Sequence, residues 1–197
     1  MKDSYLTVAS SAEGVYKEKG SKFLATIFEI ASEEEALSHV ADFKKRFHDA
    51  RHHCYAYQLG VDGDKYREND DGEPSGTAGK PIRGQIRSRG ITNVLIIVVR
   101  YFGGTKLGVS GLINAYKLSA LDAIENASII EKVVEKQIVF EFDYLLMNDV
   151  MRLLKDSGCR IISQEYGNRC KFILAIRERD SELLLGQLVK IEGVEVI

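Results

Sequence analysis

Cysteine is scarce in this chain, long apolar runs are missing, and the middle of the sequence carries no acid. Each absence excludes something. The three cysteines, Cys54, Cys159 and Cys170, are an odd number without C-x-x-C spacing, the usage of thiols kept reduced in a cytosol. A bridge between Cys159 and Cys170 across a hairpin stays open beside the plainer reading of both as small buried hydrophobes. The longest purely apolar stretch, Val94 to Val99, is too short to cross a bilayer. Met1 to Gly20 contains Asp3 and Glu13 and no sustained apolar run, so it lacks the layout of a secretory signal. The expected location is cytoplasmic, with no membrane role.

From Pro74 to Leu121 there is no Asp or Glu, while Lys80, Arg83, Arg87, Arg89, Arg100, Lys106 and Lys117 all fall there. Just before it, Asp62, Asp64, Glu68, Asp70, Asp71 and Glu73 form an acidic stretch. The formal net charge of -2 argues against a general nucleic-acid binder. This segregation predicts instead a local, contiguous basic surface, or two complementary surfaces that neutralise one another. At 197 residues, 45% hydrophobic and 28% charged, the chain is globular and long enough for one large core or two small ones.

Hydrophobic periodicity gives strands at Glu13–Lys19 and Ser21–Ile30 around Gly20. Ser32 followed by Glu35 is a capping-box signature for a helix carrying Ala36, Val40, Phe43 and Phe47 on one face. His52–Leu59 returns to strand, and Asp62–Gly76 reads as an exposed polar loop. Thr77–Arg89 holds a short helix interrupted by Gly79, Pro81 and Gly84. Val94–Tyr101 is apolar on both faces and therefore central in its sheet. A helix follows from about Val109 to Asn126. Beyond Glu131 the pattern is strand (Lys136–Asp143), helix (Tyr144–Ser157, capped by Gly158), two strands around Gly167-Asn168, a helix capped by Asp180, and a last strand at Val194–Ile197. This βαββαβ order is that of a ferredoxin-like domain, which sets the expected domains at residues 1–131 and 132–197 in an α+β protein.

Three segments could carry chemistry. Arg100 to Gly108 places Gly103, Gly104, Gly108 and Lys106 between a buried strand and a helix start, where free backbone N–H groups and the helix dipole can hold an anion. It matches neither the Walker loop nor G-x-G-x-x-G, and the alternative is a tight turn needing positive φ. Asn69 to Pro81 contains both prolines of the chain among Asp70, Asp71, Glu73, Ser75 and Thr77; these could serve a metal-phosphate site, but no spacing fixes their geometry, and solvated turn chemistry is the commoner explanation of such a segment. In Arg51 to Tyr57, strand alternation puts His52 and Cys54 on one face and His53, Tyr55 and Tyr57 on the other, so the three cannot share one metal ion. No nucleophile elbow accompanies Cys54 with His52 or Ser75 with His53. No catalytic residue, metal site or cofactor is assigned.

Taken together, Ala50-Arg51-His52-His53-Cys54, then Asp70 to Pro81, then Val98 to Gly108, closely resemble the IMPACT family, and within it the bacterial YigZ type. The resemblance implies an N-terminal domain similar to the ribosomal-protein and elongation-factor βαβ fold, followed by the ferredoxin-like domain. It also implies a link to translation, since eukaryotic members look like regulators of translation initiation under amino-acid starvation. The function expected on these grounds is a non-catalytic, translation-linked regulatory protein. It would bind RNA, a ribosomal component or a protein partner of the translation machinery through the N-terminal domain. Arg51, His53, Lys80, Arg100, Gly103, Gly104, Lys106 and Gly108 would form the contact, and Asp70, Asp71, Glu73, Ser75 and Thr77 a motif loop of unassigned role. The alternative is an enzyme acting on a phosphorylated small molecule or nucleotide.

Overall fold

The computed structural model describes residues 3–197, and the chain through Lys132 and from Val133 onward packs as two compact units. In the first, strands β1 (Ser4–Val8), β2 (Ala12–Glu18) and β3 (Ser21–Glu29) precede helix α1 (Glu33–Arg46), then β4 (His52–Leu59), β5 (Lys65–Asn69), α2 (Gly79–Ser88), β6 (Val94–Tyr101), α3 (Gly108–Glu125) and β7 (Ile129–Val133). Five strands form a sheet in the order β2-β3-β6-β4-β5, with every neighbouring pair antiparallel. Because β3 and β4 both oppose β6, they run parallel to each other and need a crossover. Helix α1 supplies it, giving a split βαβ unit.

Strand β6 lies third of five and is apolar at every position from Val94 to Val99 because it feeds two cores. Leu95, Ile97 and Val99 meet Ala36, Val40 and Phe43 of α1 together with Tyr55 and Tyr57. Val94, Ile96 and Val98 meet Ile82 and Ile86 of α2 and Leu112, Ala115 and Tyr116 of α3. Each such fully buried aliphatic side chain contributes about 1.5–3 kcal/mol. Ser32 caps α1 by accepting from the Glu35 N–H at 3.2 Å, while the Glu35 carboxylate accepts from the Ala31 N–H at 2.8 Å.

The second unit contains β8 (Glu135–Asp143), a short turn of helix at Tyr144–Leu146, α4 (Met147–Ser157), β9 (Arg160–Glu165), β10 (Arg169–Arg177), α5 (Glu178–Leu188) and β11 (Val194–Val196). The sheet order β11-β8-β10-β9 is the 4-1-3-2 arrangement of a ferredoxin-like βαββαβ domain. Phe140, Phe142 and Phe172 form its centre with Val150, Leu154, Leu184 and Leu188. Gly158 ends α4 in the left-handed conformation, φ 70°, as a C-terminal glycine does.

Two expectations are corrected here. The segment Asp62–Gly76 is not wholly an exposed loop: Lys65–Asn69 pairs with Tyr55–Leu59 as an edge strand. Its charged sequence conceals a strand because an edge needs backbone partners on one side only. Helix α5 begins at Glu178, so Asp180 lies in its first turn and does not cap it. Strand β1 pairs with β7, and neither was legible as a sheet. No helix among the described residues is long and apolar enough to cross a membrane.

Candidate functional site

The acidic loop between β5 and α2 is a set of three fasteners. Ala78, at the N-cap of α2, has no side chain able to cap it. Asp70 does so from eight residues upstream: its carboxylate accepts from the backbone N–H groups of Gly76 (2.8 Å), Ala78 (3.0 Å) and Gly79 (2.9 Å). Asp71, held at φ 41°, accepts from the His53 N–H at 2.7 Å and from Lys44 Nζ at 2.7 Å. Burial by itself raises the Asp71 carboxyl, but the bonds from Lys44 and the His53 backbone outweigh it and hold the group below the usual carboxylate range. The Asp71 carbonyl accepts from His52 Nδ1 at 2.9 Å, so that nitrogen carries the proton.

Glu73 is the third fastener and it is buried. Its Oε1 accepts from Arg100 Nη1 at 2.5 Å and from the Tyr116 hydroxyl at 2.9 Å. The Cys54 thiol donates to the Asp70 carbonyl at 3.0 Å and lies 3.3 Å from the Tyr116 hydroxyl. Burial is the main cause that pushes both the Cys54 thiol and the Tyr116 hydroxyl well above their usual ranges. Cys54 is therefore a protonated thiol at neutral pH, without the thiolate character a nucleophile needs.

Beside this network lies a cleft of about 460 Å³. Arg51 and His52 at the start of β4 form one side, Glu73 and Pro74 another, and Arg100 and Phe102 at the end of β6 the floor and rim. Lys106, Leu107, Gly108 and Val109, which lead into α3, close it, with Leu112 behind. The walls are mostly apolar and the charges mostly positive. Among the described residues no side chain caps the N-terminus of α3, so its first N–H groups, beside the cleft at Gly108 and Val109, lack intrahelical partners, whereas the equivalent groups of α2 are taken by Asp70. Arg100 is only 6% exposed and stacks between Phe23 and Phe102, at 5.4 and 5.7 Å from the ring centres. Its Nε is buried without a hydrogen-bond partner.

Two glycines of the β6–α3 connection have different reasons. A Cβ on Gly103 would stand 1.9 Å from the Gly20 carbonyl carbon, so Gly103 is required by the close approach of the β2–β3 turn. Gly104 has open space but φ 86°, a backbone state that favours glycine.

Of the residues expected to make contacts, Arg51, Arg100, Lys106 and Gly108 come together in the cleft. His53 does not: it is 5% exposed and its Nε2 lies 3.0 Å from the Phe47 carbonyl, because alternation along β4 turns it to the α1 side. Lys80 is exposed in the first turn of α2 and is not a wall of the cleft. The expected contiguous basic surface is broken as well. Arg100 pairs with Glu73, Arg83 with Glu68 at 3.1 Å and Arg89 with Glu125 at 2.7 Å, since the sheet folds the acidic stretch back onto the basic one. Lys80, Arg87, Lys106 and Lys117 form no ion pair among the described residues. In the motif loop, Ser75 is exposed and Thr77 donates to the Pro74 carbonyl at 2.6 Å. Sequence reasoning missed His52, Phe102 and Tyr116 as members of the site. The first two sat inside quoted motifs, whereas Tyr116 had only the helical spacing of a core residue. Among the described residues no group of three His, Cys, Asp or Glu side chains converges on a metal position.

The family model described as the Impact N-terminal domain matches residues 19–124, the span that contains every residue of this cleft. The IMPACT family member YvyE of Bacillus subtilis is 30% identical over 92% of this chain and 83% of its own length. The IMPACT family member YigZ of Escherichia coli is 31% identical over 83% and 81%. A crystal structure of a hypothetical protein, 27% identical, superposes with a TM-score of 0.75 over 100% of this chain and 98% of its own.

Proposed function

The chain belongs to the IMPACT family, and we propose that it is a non-catalytic, translation-linked regulatory protein that binds RNA through the cleft at the start of α3. The translation link rests on the resemblance to eukaryotic members. The RNA contact rests on one observation: the exposed cations Arg51 and Lys106, the buried Arg100 and the uncapped N-terminus of α3 line one cleft. A phosphate is the group that suits all of these donors at once. A ribosomal component or an acidic segment of a protein partner is the other class of anion that could sit there. The two units divided at Lys132 are, in this reading, a binding domain and an appended ferredoxin-like domain. Three free cysteines suit a reducing, cytoplasmic setting.

The test is equilibrium binding of a labelled single-stranded RNA across a salt series. Affinity should fall steeply with salt because each neutralised phosphate releases condensed counterions. Lys106→Ala should weaken binding and reduce the slope by about one unit. Salt-independent binding, or none, sinks the reading.

A second reading is an enzyme acting on a phosphorylated small molecule. The cleft volume lies within the range of small-molecule sites, and His52 Nε2 stands 3.9 Å from the buried Glu73 carboxylate. Magnesium-dependent stabilisation by a nucleotide, with turnover, would favour it over RNA binding.

A further inference from the structure

The same cleft carries more than cations, and its remaining groups specify which part of a nucleic acid would enter it. Phe102 is 54% exposed, large for an aromatic ring at the mouth of a site. Its inner side lies against the Arg100 guanidinium, which leaves the other available to a planar group. On the opposite side, His52 donates through Nδ1 to the Asp71 carbonyl. In the neutral ring this makes Nε2 a bare acceptor, and no donor among the described residues meets it. Glu73 commits Oε1 to Arg100 and Tyr116, and its Oε2 has no partner among the described residues. The cleft therefore presents donors toward the α3 N-terminus, a stacking face at Phe102, and acceptors at His52 and Glu73.

An inorganic anion would use only the first of these, and the acceptors would face it unfavourably. A deoxynucleotide would use the donors and the ring, leaving the acceptors unmet inside a largely apolar cleft. A ribonucleotide engages all three: phosphate to the donors, base to the ring, and the one proton of the 2′-hydroxyl to the His52 acceptor. We propose, building on the RNA-binding reading above, that the cleft holds one ribonucleotide unit of a single strand and selects RNA over DNA through its 2′-hydroxyl. His52 Nε2 is the acceptor of the single hydroxyl proton, and Phe102 is the base platform. The 2′-hydroxyl is the group by which a protein tells the two nucleic acids apart. Stacking on an aromatic side chain tolerates any base, so the preference is for sugar and not for sequence.

The experiment compares one single-stranded dodecamer, fluorescently labelled, as RNA, as DNA and as 2′-O-methyl RNA, by anisotropy on the full-length protein at fixed salt. RNA should bind about fivefold more tightly than both others, the size of one hydrogen bond to a neutral acceptor. The methyl ether removes the donor without touching the protein, so this arm does not depend on any variant folding. Phe102→Ala should weaken RNA and DNA alike by about tenfold, the loss of one stacked base. His52→Asn places an amide nitrogen where Nδ1 was and removes Nε2; it should narrow the RNA-to-DNA ratio to within about twofold. Equal, salt-sensitive binding of all three nucleic acids overturns the sugar selection while leaving the RNA-binding reading standing. Binding of none overturns both. Tighter binding of 2′-O-methyl RNA than of DNA means that sugar conformation, not the hydroxyl, is being read, and rejects the assignment of His52.

Discussion

Tyr116, in the middle of α3, donates its hydroxyl to Glu73 Oε1 at 2.9 Å and so ties the helix to the loop that precedes α2. Arg100 reaches the same oxygen from the end of β6. Three segments far apart in sequence thus share one buried carboxylate, and the cleft wall depends on it.

Removing that carboxylate should be costly. Glu73→Ala leaves the Arg100 guanidinium buried without its counter-charge, a loss of about 3–5 kcal/mol. Tyr116→Phe removes a single donor and should cost about 1–2 kcal/mol. Urea unfolding followed by circular dichroism measures both, as lower midpoints at unchanged slope. A Glu73→Ala protein within about 1 kcal/mol of the parent would mean that water already reaches Arg100 and that the network is not closed.

The Asp71 carboxyl sets a pH dependence. Its folded-state value lies below the ordinary one, so the folded state binds its proton less readily than the unfolded chain. The stability it contributes is fully present above the unfolded value of about 3.9 and is lost as pH falls through the folded value. The gap in melting temperature between parent and Asp71→Asn should be constant from neutrality to about pH 5 and should close below about pH 4. A gap that persists at about pH 3 would place its origin in packing around Lys44 and His53 rather than in ionisation.

Gly103→Ala and Gly104→Ala separate two reasons for glycine in adjacent positions. The first drives a Cβ into the Gly20 backbone and should cost more than about 3 kcal/mol or prevent folding, as overpacking without room to relax does. The second meets open space at positive φ and should cost about 1 kcal/mol. Thermal melts of the two proteins decide it, and equal losses would contradict the close approach of the β2–β3 turn.

Lys106→Ala should leave folding within about 0.5 kcal/mol of the parent, as expected for an exposed lysine with no ion pair among the described residues. Its RNA affinity should nevertheless drop several-fold through the loss of a charge-assisted hydrogen bond. A variant that unfolds would place Lys106 in the fold's own polar network. One that binds normally would move the phosphate site away from α3.

The fragment Val133–Ile197 should fold alone, because it holds a complete βαββαβ sheet around its own phenylalanine core. At that size it is marginally stable. Failure to melt cooperatively would show that the boundary at Lys132 does not divide independent folding units.

Local patterns determined what they could reach. The capping box at Ser32 and Glu35, the both-face apolar run of β6, the glycine end of α4 and the βαββαβ order of the second unit are signals written within a few residues, and the structure contains each of them. The alternation along β4 likewise placed Cys54 and His53 on opposite faces without any tertiary information. What neighbouring residues could not encode was partnership across the chain. Strand β5 was hidden because an edge strand of charged residues owes its existence to β4. The basic run from Lys80 to Lys117 looked continuous because its carboxylate partners, Glu68, Glu73 and Glu125, lie on other elements. Tyr116 read as core, and its hydroxyl acquired a role only when α3 docked above Glu73. Charge along a sequence is additive, whereas charge on a surface depends on which acids the fold brings beside which bases. For that reason tertiary structure alone decided that Arg100 is buried, that Lys106 is exposed, and that Phe102 and His52 line the same cleft.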